Sequence, residues 1–537
     1  MNHIHSSTKE YDAIIIGAGF SGLYQLICLR DQLGLKCVVL ETGDDVGGTW
    51  YWNRYPGARC DTESHAYSYY FSDELLKEWT WSERYPGHEE IREYMNFVAS
   101  KFDIKKDILF KQKVTSAKFI EDSNNWNVKT DNNNFKCKFL ITAVGCLSNT
   151  NIPKIKGLEN FEGSYYHTGN WPKNGVSFVN KTVGQIGTGS TGIQAVPVIA
   201  AEAKHLTVFQ RTANYSIPAR NKPLTEEFKK QVKENFQYYR DLIKRTPNAH
   251  PFEISDRLVS DVNSVEMNNI YEKAWEKGGL QFRAVFNDLV TNLEANNTAS
   301  DFIKNKINKT VLNKKFASIL SDIDHPYAGK RPPIDSNYFE TYNRDNVNLI
   351  DLRRDPIKCI NKNGIETEKN YIDLDIIVFA TGYDAMTGPL LNMNIFGKND
   401  IKLENDWKEG PKTFLGLQIP GFPNLFTVTG PGSPSVLTNM PMAIEQHVEW
   451  IRDCISFMIK KEYTTIEASS NLAKKWGEEV NRVANKTLLP SVKHSWYLGA
   501  NIPGKPRVFM PYAGGLPRYS KICDDVKKNN FEDFILA

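Results

Sequence analysis

The 537-residue chain reads as an α/β protein with two dinucleotide-binding domains and a helical insertion. Three observations predict this. Two glycine-rich turns, Gly17-Ala-Gly-Phe-Ser-Gly22 and Gly187-Thr-Gly-Ser-Thr-Gly192, each follow a short apolar run and open a helical pattern. Between residues 224 and 321 no such turn occurs, and apolar side chains recur at helical spacing. The length suits about two to four domains rather than one core.

In the first unit, Tyr11–Ile16 reads as a buried parallel strand running into Gly17, Gly19, Ser21 and Gly22. A second apolar strand, Lys36–Leu40, ends at Glu41. Strand, tight turn, helix, strand and acid at about 20 residues is the Rossmann-like order. The glycines let backbone approach a pyrophosphate at a helix N-terminus, and Glu41 would accept from ribose hydroxyls. A carboxylate there disfavours a 2′-phosphate, so the pocket is read as one for FAD or NAD.

Gly47–Asp61 follows, with glycine pairs and large aromatics but no regular period, and is expected as a loop wrapped on a flat ligand. Residues 73–113 are helical in pattern, and Val114–Phe119, Trp126–Thr130 and Phe135–Ile141 read as strands. The second unit repeats the first from Thr182, but its second strand, Leu206–Phe209, runs into Gln210-Arg211-Thr212 without a carboxylate. Arg211 can fork onto a 2′-phosphate and Thr212 can donate to it, which points to NADPH. Phe228, Val232, Phe236, Tyr239 and Ile243 open the insertion, with further stripes over 265–293 and 301–320. Gly421–Phe426 reads as a strand, Gly430–Ser435 as a rigid loop and Asn439–Ile451 as a helix.

Composition narrows the function classes. The chain is 41% hydrophobic and 24% charged, as in globular proteins. Its 66 basic and 63 acidic residues leave a net charge of +3, with no nucleic-acid or polybasic membrane signature. No apolar run reaches the roughly 18 residues of a spanning helix. The first ten residues lack a signal-peptide core and are expected to be a disordered leader. Eight cysteines occur without a Cys-x-x-Cys pair, which argues against a metal site or a disulfide reductase and for a reducing cytoplasm. A monomer or weak homo-oligomer is expected.

Between the two glycine turns stands Phe161-Glu-Gly163-Ser-Tyr-Tyr-His167-Thr168-Gly-Asn-Trp171-Pro172. This stretch resembles the signature of the type I Baeyer–Villiger monooxygenases, with closest likeness to the phenylacetone and cyclohexanone monooxygenase group. The resemblance extends over about residues 10 to 535. It implies an FAD-binding domain over 11–147 and 385–537, an NADP-binding domain over 148–223 and 322–384, and an insertion over 224–321. It also implies that NADPH reduces FAD and that a C4a-peroxyflavin converts a ketone to an ester or lactone with O2, with sulfoxidation as a side activity. Arg331 is the implied catalytic arginine, with Asp61 orienting it. Trp50, Tyr55 and Tyr67 would lie near the flavin; Thr49, Tyr51, Trp52, Arg59, Cys60, Val114 and Met440 complete that set. Thr188, Gly189, Ser190, Thr191, Ile193, Arg211, Thr212, Lys330 and Trp496 would hold NADPH. Val436, Leu437 and Met440 are candidate substrate walls. Phe161–Pro172 is read as a hinge, with His167 structural because an attacking peroxide needs a cation rather than a base. A flavin N- or S-monooxygenase and a non-catalytic FAD/NADPH sensor are the alternatives.

Overall fold

The computed structural model describes residues 8–537. The first sheet is built on β1 (Lys9–Ile16), which lies parallel to β2 (Cys37–Leu40) and, on its other side, to β6 (Asn134–Thr142). Helix α1 (Phe20–Ile27) crosses from β1 to β2, which β3 (Ile108–Leu109) then extends. Buried on both faces, β2 is all apolar, as a central parallel strand requires. β4 (Val114–Ile120) and β5 (Asn125–Thr130) form an antiparallel meander that pairs with the first half of β6. Leu425–Thr427 takes the second half of β6 in parallel register. The expected strand Gly421–Phe426 is thus shorter and shifted, because Gly421 and Asn424 adopt positive φ.

Lys9 and Glu10 already pair with Phe135 and Lys136, so the strand starts within the stretch expected to be a leader. The rest of that stretch, residues 1–7, lies outside the described residues. Between β2 and β3, a single helical turn, α2 (Thr49–Trp52), interrupts the loop expected over 47–61. It is followed by α3 (Asp73–Glu78) and α4 (His88–Lys101).

The second sheet has five parallel strands, in the order Val347–Asp351, β9 (His205–Gln210), β8 (Thr182–Ile186), Ile376–Phe379 and β7 (Ser164–His167). A third of the stretch read as a hinge is therefore the edge strand β7. Helix α5 (Ser190–Glu202) crosses from β8 to β9.

The insertion contains α6 (Glu226–Glu234), α7 (Phe236–Arg245), α8 (Ser264–Lys277), α9 (Leu293–Thr310) and α10 (Lys314–Ser321). The apolar stripe over 265–293 is not one helix, because Gly278 and Gly279 (φ 67° and 80°) end α8 at Lys277. Tyr239 and Ile243 of α7 bury into the first core, whereas Tyr271, Trp275, Phe302, Ile303 and Ile307 bury into the second. Each such side chain contributes roughly 1.5–3 kcal/mol of burial. Met440–Lys460, longer than expected, packs across α1. Among the described residues no helix is long and apolar enough to cross a membrane.

Candidate functional site

The two glycine turns have the same backbone. Gly17 and Gly187 sit at φ 105° and 109°, where other residues are strained. A Cβ on Gly22 would fall 1.8 Å from the Gly17 carbonyl oxygen, and one on Gly192 2.3 Å from that of Gly187. A Cβ on Gly189 would meet nothing within 4 Å, which leaves that turn open toward a ligand. Neither α1 nor α5 has a side-chain cap, so their first N–H groups face outward. Such an open, N–H-lined cradle fits a dinucleotide pyrophosphate. Ser21, Ser190, Thr191 and Ile193 lie in these first turns.

Glu41 is buried at the end of β2. Its two oxygens accept from Ala18 N–H at 2.7 Å and Gly43 N–H at 2.6 Å, and burial raises its pKa against the pull of those donors. Each carboxylate oxygen keeps a lone pair for a ribose hydroxyl. At the matching end of β9, Thr188 Oγ1 donates to the Thr212 carbonyl at 3.0 Å, Arg211 is exposed and Lys330 half-buried. Burial pushes the Lys330 ammonium down to about 8, with Arg211 repelling it against the attraction of Asp324. The two cations therefore share one region, as a phosphate-binding pair should.

Arg331 and Asp61, 270 residues apart, meet in a two-bond fork: Nε to Oδ2 at 2.5 Å and Nη2 to Oδ1 at 2.8 Å. Nη2 also donates to Thr62 Oγ1 (3.3 Å), Nη1 to the Val436 carbonyl (3.0 Å), and the backbone N–H to Tyr497 Oη (3.0 Å). Burial works against the guanidinium charge, but the Asp61 carboxylate outweighs it and holds the pKa above the ordinary arginine value. Arg331 is a permanently charged, oriented cation.

The aromatic loop divides. Trp50 donates through Nε1 to Tyr67 Oη at 3.0 Å and packs edge-on to it in the first core. Tyr55, expected beside the flavin, donates to Gln194 Oε1 of α5 at 2.7 Å and packs within the second core. Arg59, expected to contact cofactor, donates through Nη1 to Glu83 Oε1 and the Tyr85 carbonyl. Tyr51 donates to Asp44 Oδ1 at 2.6 Å, under the guanidinium of Arg54. Thr49 opens α2, and the Trp52 carbonyl accepts from Trp171 N–H at 3.5 Å. Cys60 and Val114 are buried.

Trp171 thereby ties the edge of the second sheet to the loop of the first unit. Phe161 is buried, Pro172 half-buried, and a Cβ on Gly163 would lie 2.5 Å from the Asp375 carbonyl oxygen. Thr168 Oγ1 donates to the Phe379 carbonyl. His167 Nδ1 accepts from Gly169 N–H at 3.0 Å, and burial pushes its pKa down to about 4. Leu437 and Met440 are half-buried beside Val436, and the Leu437 carbonyl accepts from Asn248 Nδ2 at 2.6 Å. Trp496 is half-buried against Tyr497, with ring centroids 4.5 Å apart. Its loop latches onto the end of the second sheet through Asn501 to the Tyr383 carbonyl and Lys505 to Asp384.

Sequence reasoning missed Tyr497, Thr62, Gln194 and Asn248. Tyr497, Thr62 and Gln194 each stood beside a residue already singled out; Asn248 carries no local signal.

Residues 11–236 match the model of the flavin-binding monooxygenase-like family. The chain is 42% identical to a cyclohexanone 1,2-monooxygenase of an Acinetobacter species, covering 98% of this chain and 97% of that protein. It is also 42% identical to a Baeyer–Villiger monooxygenase of Pseudooceanicola batsensis, over 98% and 96% of the two chains. The solved structure of an oxidised steroid monooxygenase bound to NADP superposes with a TM-score of 0.93 at 44% identity, covering 98% of this chain and 99% of that one. A flavin cradle, a second cradle with a cationic rim and full-length likeness agree: the chain belongs to the flavin-binding monooxygenases, in their Baeyer–Villiger branch.

Proposed function

We propose that the protein uses NADPH and dioxygen to insert one oxygen atom beside the carbonyl of a ketone, cyclic, aryl or linear, releasing an ester or lactone. The observation that carries this reading is the Asp61–Arg331 fork. When bound, FAD supplies the redox chemistry, taking a hydride from NADPH and activating dioxygen.

The protein's own part is positional and electrostatic. Glu41 and the open N-terminus of α1 hold the flavin nucleotide, while Arg211, Thr212 and Lys330 hold the 2′-phosphate. Asp61 fixes the plane of Arg331. The Arg331 guanidinium stabilises negative charge on attacking oxygen and on the developing carbonyl oxyanion, in surroundings drier than bulk water. It does so without exchanging a proton. Val436, Leu437 and Met440 wall the ketone. Trp496 and its latched loop exclude water over the nicotinamide side. His167, neutral at working pH with Nδ1 occupied by Gly169 N–H, supports a structural part at the junction. Eight free cysteines suit a cytoplasmic protein, which we take to be a monomer or weak homo-oligomer with small-molecule partners.

Arg331→Ala is expected to lower ester formation on the order of 100- to 1000-fold, while anaerobic reduction of the flavin by NADPH persists. Stopped-flow reduction beside product quantification separates the two steps; full ester formation in the variant would sink the assignment. A panel of cyclic, aryl and linear ketones, a sulfide and an aromatic amine, read by NADPH loss and product mass, tests the substrate class. Oxidation of the amine or sulfide alone would favour the N- or S-monooxygenase reading.

A further inference from the structure

The helical insertion delivers one more cation to the Asp61–Arg331 site. Gly278 and Gly279 end α8 and turn the chain into a short 3-10 segment, Leu280–Ala284. That segment is clamped at both ends, with Gly279 N–H donating to the Pro218 carbonyl at 2.9 Å and Ser255 N–H donating to the Ala284 carbonyl at 2.8 Å. Leu280, Phe282 and Ala284 are buried, and the Phe282 ring stands perpendicular to Tyr327 at 5.6 Å.

Arg283 is half-buried between them. Among the described residues, its guanidinium has neither a hydrogen-bond partner nor an ion-pair partner at the distances those interactions require. Its charge acts on, and is acted on by, Arg331, Asp61, Tyr327 and Tyr497, so it belongs to the same site. Burial and the neighbouring Arg331 pull its pKa down to about 10, which leaves it charged at neutral pH.

Two other polar atoms around it lack a partner. Tyr327 Oη and His250 Nε2 are buried without a hydrogen bond, in residues 0% and 2% exposed. His250 lies within Coulomb reach of both arginines, on the loop that Asn248 fastens to the Leu437 carbonyl. Buried polar atoms without partners are uncommon, because each carries the full cost of its lost hydration. Two such atoms within Coulomb reach of the unpaired Arg283 guanidinium ask for a ligand, and the surplus positive charge asks for an anion. The phosphates of the two dinucleotides already have the helix N-termini, Arg211 and Lys330.

We propose that Arg283, with Tyr327 and His250, forms an anion subsite that binds a carboxylate carried by the substrate and so aims its carbonyl at Arg331. The planar guanidinium fork matches a carboxylate. This deepens, and rests on, the ketone reading above.

The test compares an oxocyclohexanecarboxylate with its methyl ester, which differ in charge at one point. The native holoenzyme is expected to show a higher kcat/KM for the acid. Arg283→Gln should lower the acid-to-ester ratio about 10- to 100-fold, mostly through KM, and Arg283→Lys should restore part of it. An equal loss for acid and ester, or a matching rise in the KM for NADPH, would overturn the subsite. Calorimetric binding of cyclohexanecarboxylate to the holoenzyme reads the subsite without turnover. Binding that disappears in Arg283→Gln supports the subsite even if no ketone is oxidised, an outcome that would count against the ketone reading alone. Equal binding to native and variant protein would reject the subsite whatever the ketones do.

Discussion

The two dinucleotide units share a backbone and differ at one strand end. Gly17 N–H donates to the Leu40 carbonyl, and Gly187 N–H to that of Phe209, so Glu41 and Gln210 are structural equivalents. In the first unit that position is a buried carboxylate fixed by two backbone N–H groups. In the second it is a buried amide whose Nε2 donates to the Ile319 carbonyl of α10 at 3.1 Å. In the proposed function the nucleotide-reading duty passes one residue along, to the exposed Arg211. On that reading the cradle recognises what all dinucleotides share, and a single strand-end residue, buried or free, selects between them.

Breaking the first unit should have the largest effect. Glu41→Gln sets an NH2 group against backbone donors and is expected to weaken FAD binding on the order of 100-fold, read by fluorescence of released flavin. FAD retention at native affinity would reject Glu41 as the selecting group. Reversing the charge of the second unit comes next. Arg211→Glu is expected to raise the KM for NADPH about 10- to 50-fold while changing that for NADH little; parallel changes in both would count against recognition of the 2′-phosphate.

The smallest effect is a pH dependence confined to the second unit. With its pKa pushed down to about 8, Lys330 is charged below that pH and loses its charge as pH rises through it. NADPH affinity should fall about threefold from pH 7 to pH 9, and NADH affinity should not follow. A Lys330→Arg variant, charged throughout, should flatten the NADPH profile; an unaltered slope would assign the titration elsewhere.

What was readable in the chain follows the range of the interactions. Both glycine cradles were legible because strand, turn and helix lie within about 30 residues and each glycine has a local steric reason. Arg331 and Asp61 were reached only through resemblance, since no periodicity links residues 270 apart. The duty of Gln210 was invisible because strand register and the approach of α10 create it. The bond from Tyr55 to Gln194 of α5 was invisible for the same reason. An aromatic loop announces that it will cover something flat, but only the packed helices decide which way each ring turns.

A guanidinium carries five N–H bonds, each able to donate once. In Arg331, Nε–H and one Nη2–H go to Asp61, the other Nη2–H to Thr62, and one Nη1–H to Val436. A single Nη1–H remains. The arginine at the centre of the site is thus a directional, one-proton donor as well as a charge, so an oxyanion must approach along one vector to receive it. On the proposed mechanism, the side chain's other commitments choose the angle from which an oxyanion reaches Arg331.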